Sequence, residues 1–252
     1  MTDLELALQL CDIADDITLA AFRRVDLAVE TKADRTPVTD ADREVETALR
    51  RVLGERRPGD AVLGEEFGAA GSAWRRWVID PVDGTKNFVR RVPVWATLVA
   101  LQEGTETVLG VVSAPALGRR WWASRGGGAW ADGEPIRVSA VAHLSDAHLS
   151  GNALSSWAGG PDRYVELALR CYADRCFGDF WSHVLVAEGS CDVGLDPVAS
   201  LWDLAALQVI VEEAGGRFTD LAGRARPDGG SGLSTNGLLH EEVLSVLAGR
   251  RP

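Results

Sequence analysis

The stretch that most constrains this chain is Trp77-Val78-Ile79-Asp80-Pro81-Val82-Asp83-Gly84-Thr85-Lys86-Asn87-Phe88. Trp77 to Ile79 reads as a buried strand that runs straight into an acidic turn. Pro81 fixes φ and has no N–H for a sheet ladder, so the strand is expected to end by Asp80. Asp80 and Asp83 then flank the turn, spaced so that both carboxylates can aim at one point. Gly84 permits close approach of a ligand to the backbone, and Thr85 is placed to open a short helix. N–H groups at a helix start favour an anion, phosphate above all. Carboxylates for a hard cation thus stand beside amides for an anion, a pairing that points to metal-assisted phosphate chemistry. Taken alone, Asp-Pro and Asp-Gly are also ordinary turn pieces, so the remaining acids decide.

At 252 residues, 46% of them hydrophobic, the chain has material for one large domain or two closely packed halves. A net charge of −11 argues against nucleic acid or an anionic membrane as partner. Cys11, Cys171, Cys176 and Cys191 have no zinc spacing and are too sparse for a disulfide framework. Buried free thiols in a reducing cytoplasm are the expectation. The N-terminal residues are acidic, without a basic leader, and no run approaches the length of a membrane span.

Thr2-Asp3-Leu4-Glu5 has the form of a capping box. Leu6, Leu10, Ile13 and Ile17 follow at helical spacing, which predicts a helix to about Arg24. Val29–Lys32 is a candidate strand. Thr39 followed by Asp42 marks a second helix start, ended by Pro58-Gly59. An acid in a first helical turn is favoured anyway, so Asp42 alone proves little. Ala61–Leu63 is a short strand closing on Gly64-Glu65-Glu66, the same strand, glycine, acid order as the first stretch. Ala96–Leu101 and Thr107–Val112 flank a turn. Arg125-Gly126-Gly127-Gly128 and Asp132-Gly133 mark further hairpins, so the middle is expected to be antiparallel sheet. The glycine run lacks a following helix and is a weak phosphate loop.

After Ser139 strands and helices alternate. Strands are expected at Ala147–Ser150, Arg175–Phe177, Cys191–Leu195, Arg217–Thr219 and Leu233–Thr235. Helices are expected near Asp162–Tyr172, Trp181–Ala187, Trp202–Ala214 and Glu241–Leu247. This predicts two α/β halves, 1–138 and 139–252, forming one compact catalytic unit. Asp203 opens a helix that is otherwise apolar, a routine position for a cap.

These signals occur in one order: Val38-Thr39-x-x-Asp42, Gly64-Glu65-Glu66, Asp80-Pro81-Val82-Asp83-Gly84-Thr85, Trp202-Asp203 before Ala205-Ala206, and Glu213-Ala214-Gly215-Gly216. Together, over nearly the whole chain, they resemble the inositol monophosphatase family of magnesium-dependent, lithium-sensitive phosphatases. The resemblance implies a layered αβαβα sandwich with mixed sheets and a homodimer. It implies two to three Mg²⁺ per site, held by Glu65, Asp80, Asp83, Asp203 and the Val82 carbonyl, with Asp42 on a weaker additional ion. Asp42, Glu65 and Thr85 would be catalytic, Asp42 and Thr85 orienting the attacking water. The Gly84 and Thr85 amides would hold phosphate. Lys32 falls where the family pattern often has a basic residue, and no catalytic role is assigned to it.

Lys86, the run Val92-Pro93-Val94-Trp95-Ala96-Thr97-Leu98, and Ala114-Pro115-Ala116-Leu117 before Arg119-Arg120-Trp121-Trp122 resemble the histidinol-phosphate phosphatases of this superfamily. That implies hydrolysis of L-histidinol phosphate in histidine biosynthesis. Asp179, Trp181 and Asp196 would hold the cationic, aromatic part of such a substrate. The alternatives are inositol 1-phosphate or fructose 1,6-bisphosphate as substrate and, in another class, a non-catalytic phosphate-ligand-binding subunit.

Overall fold

The computed structural model describes residues 1–24, 29–31, 37–157 and 161–249. Lys32 and the polar loop at 33–36 lie outside the described residues. The first half runs α1 (Asp3–Arg23), β1 (Val29–Thr31), β2 (Pro37–Thr39), α2 (Asp40–Arg56), β3 (Ala61–Gly64), β4 (Gly68–Ala70), β5 (Arg75–Asp83) and α3 (Thr85–Val89). It continues through β6 (Ala96–Glu103), β7 (Glu106–Ala114), β8 (Arg119–Ser124), β9 (Ala129–Ala131) and β10 (Glu134–Ile136). The second half runs β11 (His148–Gly151), α4 (Asp162–Arg170), β12 (Ala173–Arg175), α5 (Asp179–Ala187), β13 (Val193–Asp196), α6 (Leu201–Glu213), β14 (Arg217–Thr219), β15 (Gly232–Thr235) and α7 (His240–Leu247).

Strands β3 to β10 make an eight-stranded sheet in the order β10-β9-β8-β7-β6-β5-β3-β4. Its pairs are antiparallel except β3 with β5. The second sheet is five-stranded, β12-β11-β13-β15-β14, with β11 parallel to both its neighbours. Leu6, Leu10, Val45 and Leu49 of α1 and α2 pack on one face of the first sheet against Trp77, Ile79, Val99 and Val111. The opposite face, with Val78, Leu98, Ala100 and Val112, packs against Phe180 and Val184 of α5 and Leu204 to Val211 of α6. Helices α5 and α6 also contact the second sheet, whose Leu149, Val193, Leu195 and Leu233 meet Leu167, Val243 and Leu244 of α4 and α7. The layers are therefore α, β, α, β, α. This central position explains why α6 is buried continuously from Leu204 to Val211, with Gln208 the one polar residue in that run: a helix covered by a sheet on each side has no wide solvent-facing side.

Residues two apart on a strand share a face. Asp80 therefore points, like Val78, toward the α5/α6 layer. The expectation that the strand stops at Asp80 is corrected: β5 continues to Asp83 through Pro81. The register shifts there, Asp80 lying opposite Leu98 and Asp83 opposite Ala96. Such a bulge is where a residue without an N–H fits a ladder. Thr97 Oγ1 donates to the Pro81 carbonyl at 2.8 Å and pins it.

Two other expectations move. The strand placed at Arg175–Phe177 is β12, Ala173–Arg175, because its register is set by parallel pairing of Ala173 with His148. The thiols are free, but only Cys11 and Cys191 are buried, whereas Cys176 is exposed. The glycine run receives a structural role: Gly126 and Gly128 donate their N–H groups to Glu213 at the end of α6.

Candidate active site

Three chain segments bring four acids together where β5 bulges. Strands β3 and β5 are parallel, so Glu65 and Asp80 leave the same end of the sheet, and Glu65 N–H still donates to the Ile79 carbonyl at 3.2 Å. Asp83 follows at the end of β5, and Asp203 arrives from the first turn of α6. Carboxylate oxygens of Asp80, Asp83 and Asp203 all lie within 4.8 Å of one another. Glu65 is hydrogen-bonded to Asp80.

Each central carboxylate is aimed by a backbone amide. Val82 N–H donates to Asp80 Oδ1 at 3.1 Å, Phe180 N–H to Asp83 Oδ2 at 2.6 Å and Ser200 N–H to Asp203 Oδ2 at 2.7 Å. The cap that Asp203 supplies is real, and it orients the acid. Burial, followed by the neighbouring carboxylates, holds Asp80 and Asp83 well above the usual carboxylate range. Burial likewise pushes Asp203 up to about 7. At an effective dielectric of 20, two unit charges 4 Å apart repel by about 4 kcal/mol. A set like this needs protons or a cation.

Asp42 stands beside the group at the start of α2. Thr39 holds its Oδ2 through N–H (2.8 Å) and Oγ1 (2.5 Å). Its Oδ1 is buried with no hydrogen-bond partner among the described residues. Burial, then Glu66 and Glu65, raises Asp42 to about 6. Converging carboxylate oxygens, buried or half-buried, with an orphan acceptor alongside form a hard, oxygen-only donor set, which suits a divalent cation of the Mg²⁺, Mn²⁺ or Ca²⁺ type. The Val82 carbonyl, another expected ligand, accepts from Thr85 Oγ1 at 2.9 Å and keeps a second lone pair. Gly84 caps α3 at φ 82°, a left-handed conformation that glycine adopts without a Cβ penalty.

A second acid pair adjoins this group. Asp179 opens α5 with φ 53°, and its neighbour Phe180 is the donor to Asp83. Burial, then Asp196, raises Asp179 to about 7, while Lys86 and Asn152 act in the opposite sense. Asn152, which the sequence did not mark, hydrogen-bonds both acids: to Asp179 and from Nδ2 to Asp196 Oδ1 at 2.9 Å. Buried His183 places Nε2 3.0 Å from Asp196 Oδ2 and Nδ1 2.6 Å from Ser234 Oγ. Trp181 is half-buried, its ring 6.2 Å from those of Phe177 and Phe180.

An acidic cluster that could hold a metal ion, placed between two stacked sheets and a central helix, is an arrangement suited to divalent-metal phosphate chemistry. The inositol monophosphatase family model matches residues 2–249, and the chain belongs to that family. It is an enzyme that hydrolyses phosphoric monoesters. The histidinol-phosphatase of Mycobacterium tuberculosis is 54% identical, over 97% of each chain. That of Streptomyces coelicolor is 50% identical, over 98% of this chain and 97% of the relative. Among solved structures, the Thermotoga maritima IMPase superposes with a TM-score of 0.91 at 32% identity, covering 99% of this chain and 98% of that one. Among the described residues no helix is long and apolar enough to cross a membrane.

Proposed function

We propose that this enzyme hydrolyses L-histidinol phosphate to L-histidinol and phosphate, a step of histidine biosynthesis, with Mg²⁺ as cofactor. The observation that carries the choice of ester is the outer acid pair, Asp179 with Asp196. A sugar or inositol phosphate offers hydroxyls, which need no buried carboxylates facing them. Histidinol phosphate carries an ammonium group, which an acid pair binds by charge-assisted hydrogen bonds. The two relatives at 50–54% identity, named for that activity, agree.

In this reading Glu65, Asp80, Asp83, Asp203 and the Val82 carbonyl hold the cation, with Asp42 serving a further ion. When bound, Mg²⁺ supplies an acidified water and neutralises phosphoryl charge. The Gly84 and Thr85 amides, at the open start of α3, take phosphoryl oxygens. The buried Oδ1 of Asp42 and the Thr85 hydroxyl orient the attacking water. The water oxygen forms the new P–O bond as the ester P–O bond breaks, and the proton that the attacking water gives up balances the one taken up by the departing alkoxide. Asp179 and Asp196 hold the substrate ammonium and Trp181 lies against the imidazole. Residues 1–138 and 139–252 act as one catalytic unit, because the second half supplies Asp203 to the acids of the first. The proposed assembly is a cytoplasmic homodimer.

Phosphate release from L-histidinol phosphate, inositol 1-phosphate and fructose 1,6-bisphosphate, with Mg²⁺ and with chelator, tests the reading. The highest kcat/KM is expected for histidinol phosphate, with no turnover in chelator. Preference for either other ester would overturn the substrate while leaving the chemistry.

A further inference from the structure

Glu46 lies in the middle of α2 and is 0% exposed, an unusual place for a carboxylate unless it is paired. Its Oε2 accepts the Glu66 N–H at 2.7 Å. Its Oε1 accepts the Phe67 N–H at 3.2 Å and Arg50 Nε at 2.7 Å. Arg50 in turn donates through Nη2 to the Gly68 carbonyl. One ion pair on α2 therefore takes up both amides and one carbonyl of the turn that follows β3. Glu65 sits at the head of that turn, tied on its other side to the Ile79 carbonyl of β5. Gly64 completes the fit. A Cβ there would lie 2.1 Å from Glu46 Oε1 and 2.6 Å from Oε2, so the carboxylate fills the space where any larger residue would begin.

We propose that Glu46, braced by Arg50, is a positioning residue that sets the divalent-cation affinity of the site by fixing the turn that presents Glu65. This rests on Glu65 being a cation ligand. The physical reason is pre-organisation. Glu65 is half-buried at a strand end, and a ligand on a free turn must be ordered when the cation binds. Removing partners that orient metal ligands typically weakens binding about 10–100-fold. A residue without a side-chain oxygen at position 46 would leave the two turn amides without a buried acceptor, and glutamine would keep only one acceptor oxygen and lose the charge that pairs with Arg50.

Calorimetric titration of the metal-stripped protein with Mg²⁺ tests this on wild type, Glu46→Gln and Arg50→Met, with circular dichroism confirming that each is folded. The Mg²⁺ Kd is expected to rise about 10–100-fold in Glu46→Gln and by less in Arg50→Met, which keeps both amide bonds. The kcat at saturating Mg²⁺ is expected to stay near that of wild type, because the lost contact does not reach the reacting atoms. Gly64→Ala is expected to raise the Kd on its own, yet to add little to Glu46→Ala, since both act through one contact. An unchanged Kd in both Glu46→Gln and Arg50→Met would overturn the proposal, whatever their melting temperatures. Absence of Mg²⁺ binding by wild type would instead overturn the metal assignment beneath it.

Discussion

The two groups of buried and half-buried acids differ in what holds them. Asp80, Asp83 and Asp203 are aimed by backbone amides, and the strongest influences on them among the described residues include other carboxylates. Asp179 and Asp196 are held by side chains, Asn152 and His183, with Lys86 near enough to stabilise the charge of Asp179. An amide orients a carboxylate without neutralising it. In the proposed reading the inner group, aimed by backbone amides, suits divalent ions, whereas the outer pair, with Asn152, His183 and Lys86 beside it, suits one singly charged group. The proposed function thus gives metal binding and substrate recognition to acids that look alike in sequence.

The largest effect that can break this contrast comes from Asp83→Asn. It keeps the shape and the Phe180 contact region but removes a charge from the inner group. Turnover is expected to fall by about 10³-fold or more, the consequence of losing several kcal/mol of charge stabilisation, with an unchanged circular dichroism spectrum. Near-normal activity would show that the inner acids are not a clamp.

The next effect concerns the protein without metal. Asp42 (about 6), Asp179 and Asp203 (both about 7) have folded values raised above their ordinary range. In that window the folded state binds more protons than the unfolded chain. The associated stability is present at low pH and is lost as pH rises from about 4 through about 7, a slope fixed by the difference in bound protons. Thermal melts in chelator should therefore fall between pH 5 and pH 8, and Mg²⁺ should remove most of that fall. A melting temperature that rises over the same range in chelator would contradict the account.

Asp179→Asn sharpens the contrast from the other side. A charged hydrogen bond contributes about 1.5–3 kcal/mol, so kcat/KM for histidinol phosphate should drop about 10–100-fold, with little change in Mg²⁺ affinity. An equal loss for inositol 1-phosphate would show that the outer pair does not read the ammonium. The smallest effect is that of Thr97→Val. It removes the bond to the Pro81 carbonyl at the bulge and should lower stability by about 1 kcal/mol, measured by urea unfolding.

Much of the inner site was legible because its residues lie at element ends, where local signals are strongest. Gly64-Glu65, Asp80 to Thr85 and Asp203 each sit at a strand end or a helix start. The course of β5 past Pro81 was not legible, since the bulge depends on Thr97 and Ala96 of a different strand. Glu46 was missed because an acid in mid-helix reads as part of a solvated face, and only the turn after β3, whose Glu66 and Phe67 amides it accepts, reveals its burial. Asn152 and His183 gave no signal either: their partners Asp179, Asp196 and Ser234 come from separate segments. The two glycines that mattered, Gly64 and Gly84, are opposite cases. Gly84 announced itself inside a motif, while Gly64 is explained only by the carboxylate occupying its missing side chain.

The most direct test is equilibrium titration of metal-stripped wild type and Asp203→Asn with Mg²⁺. Asp203 belongs to the second half of the chain, so its effect depends on the two halves closing one site. Saturable binding of more than one ion per chain by wild type, with at least one lost or weakened in Asp203→Asn, is the expected result. The same weak, non-saturating uptake by both proteins would contradict it.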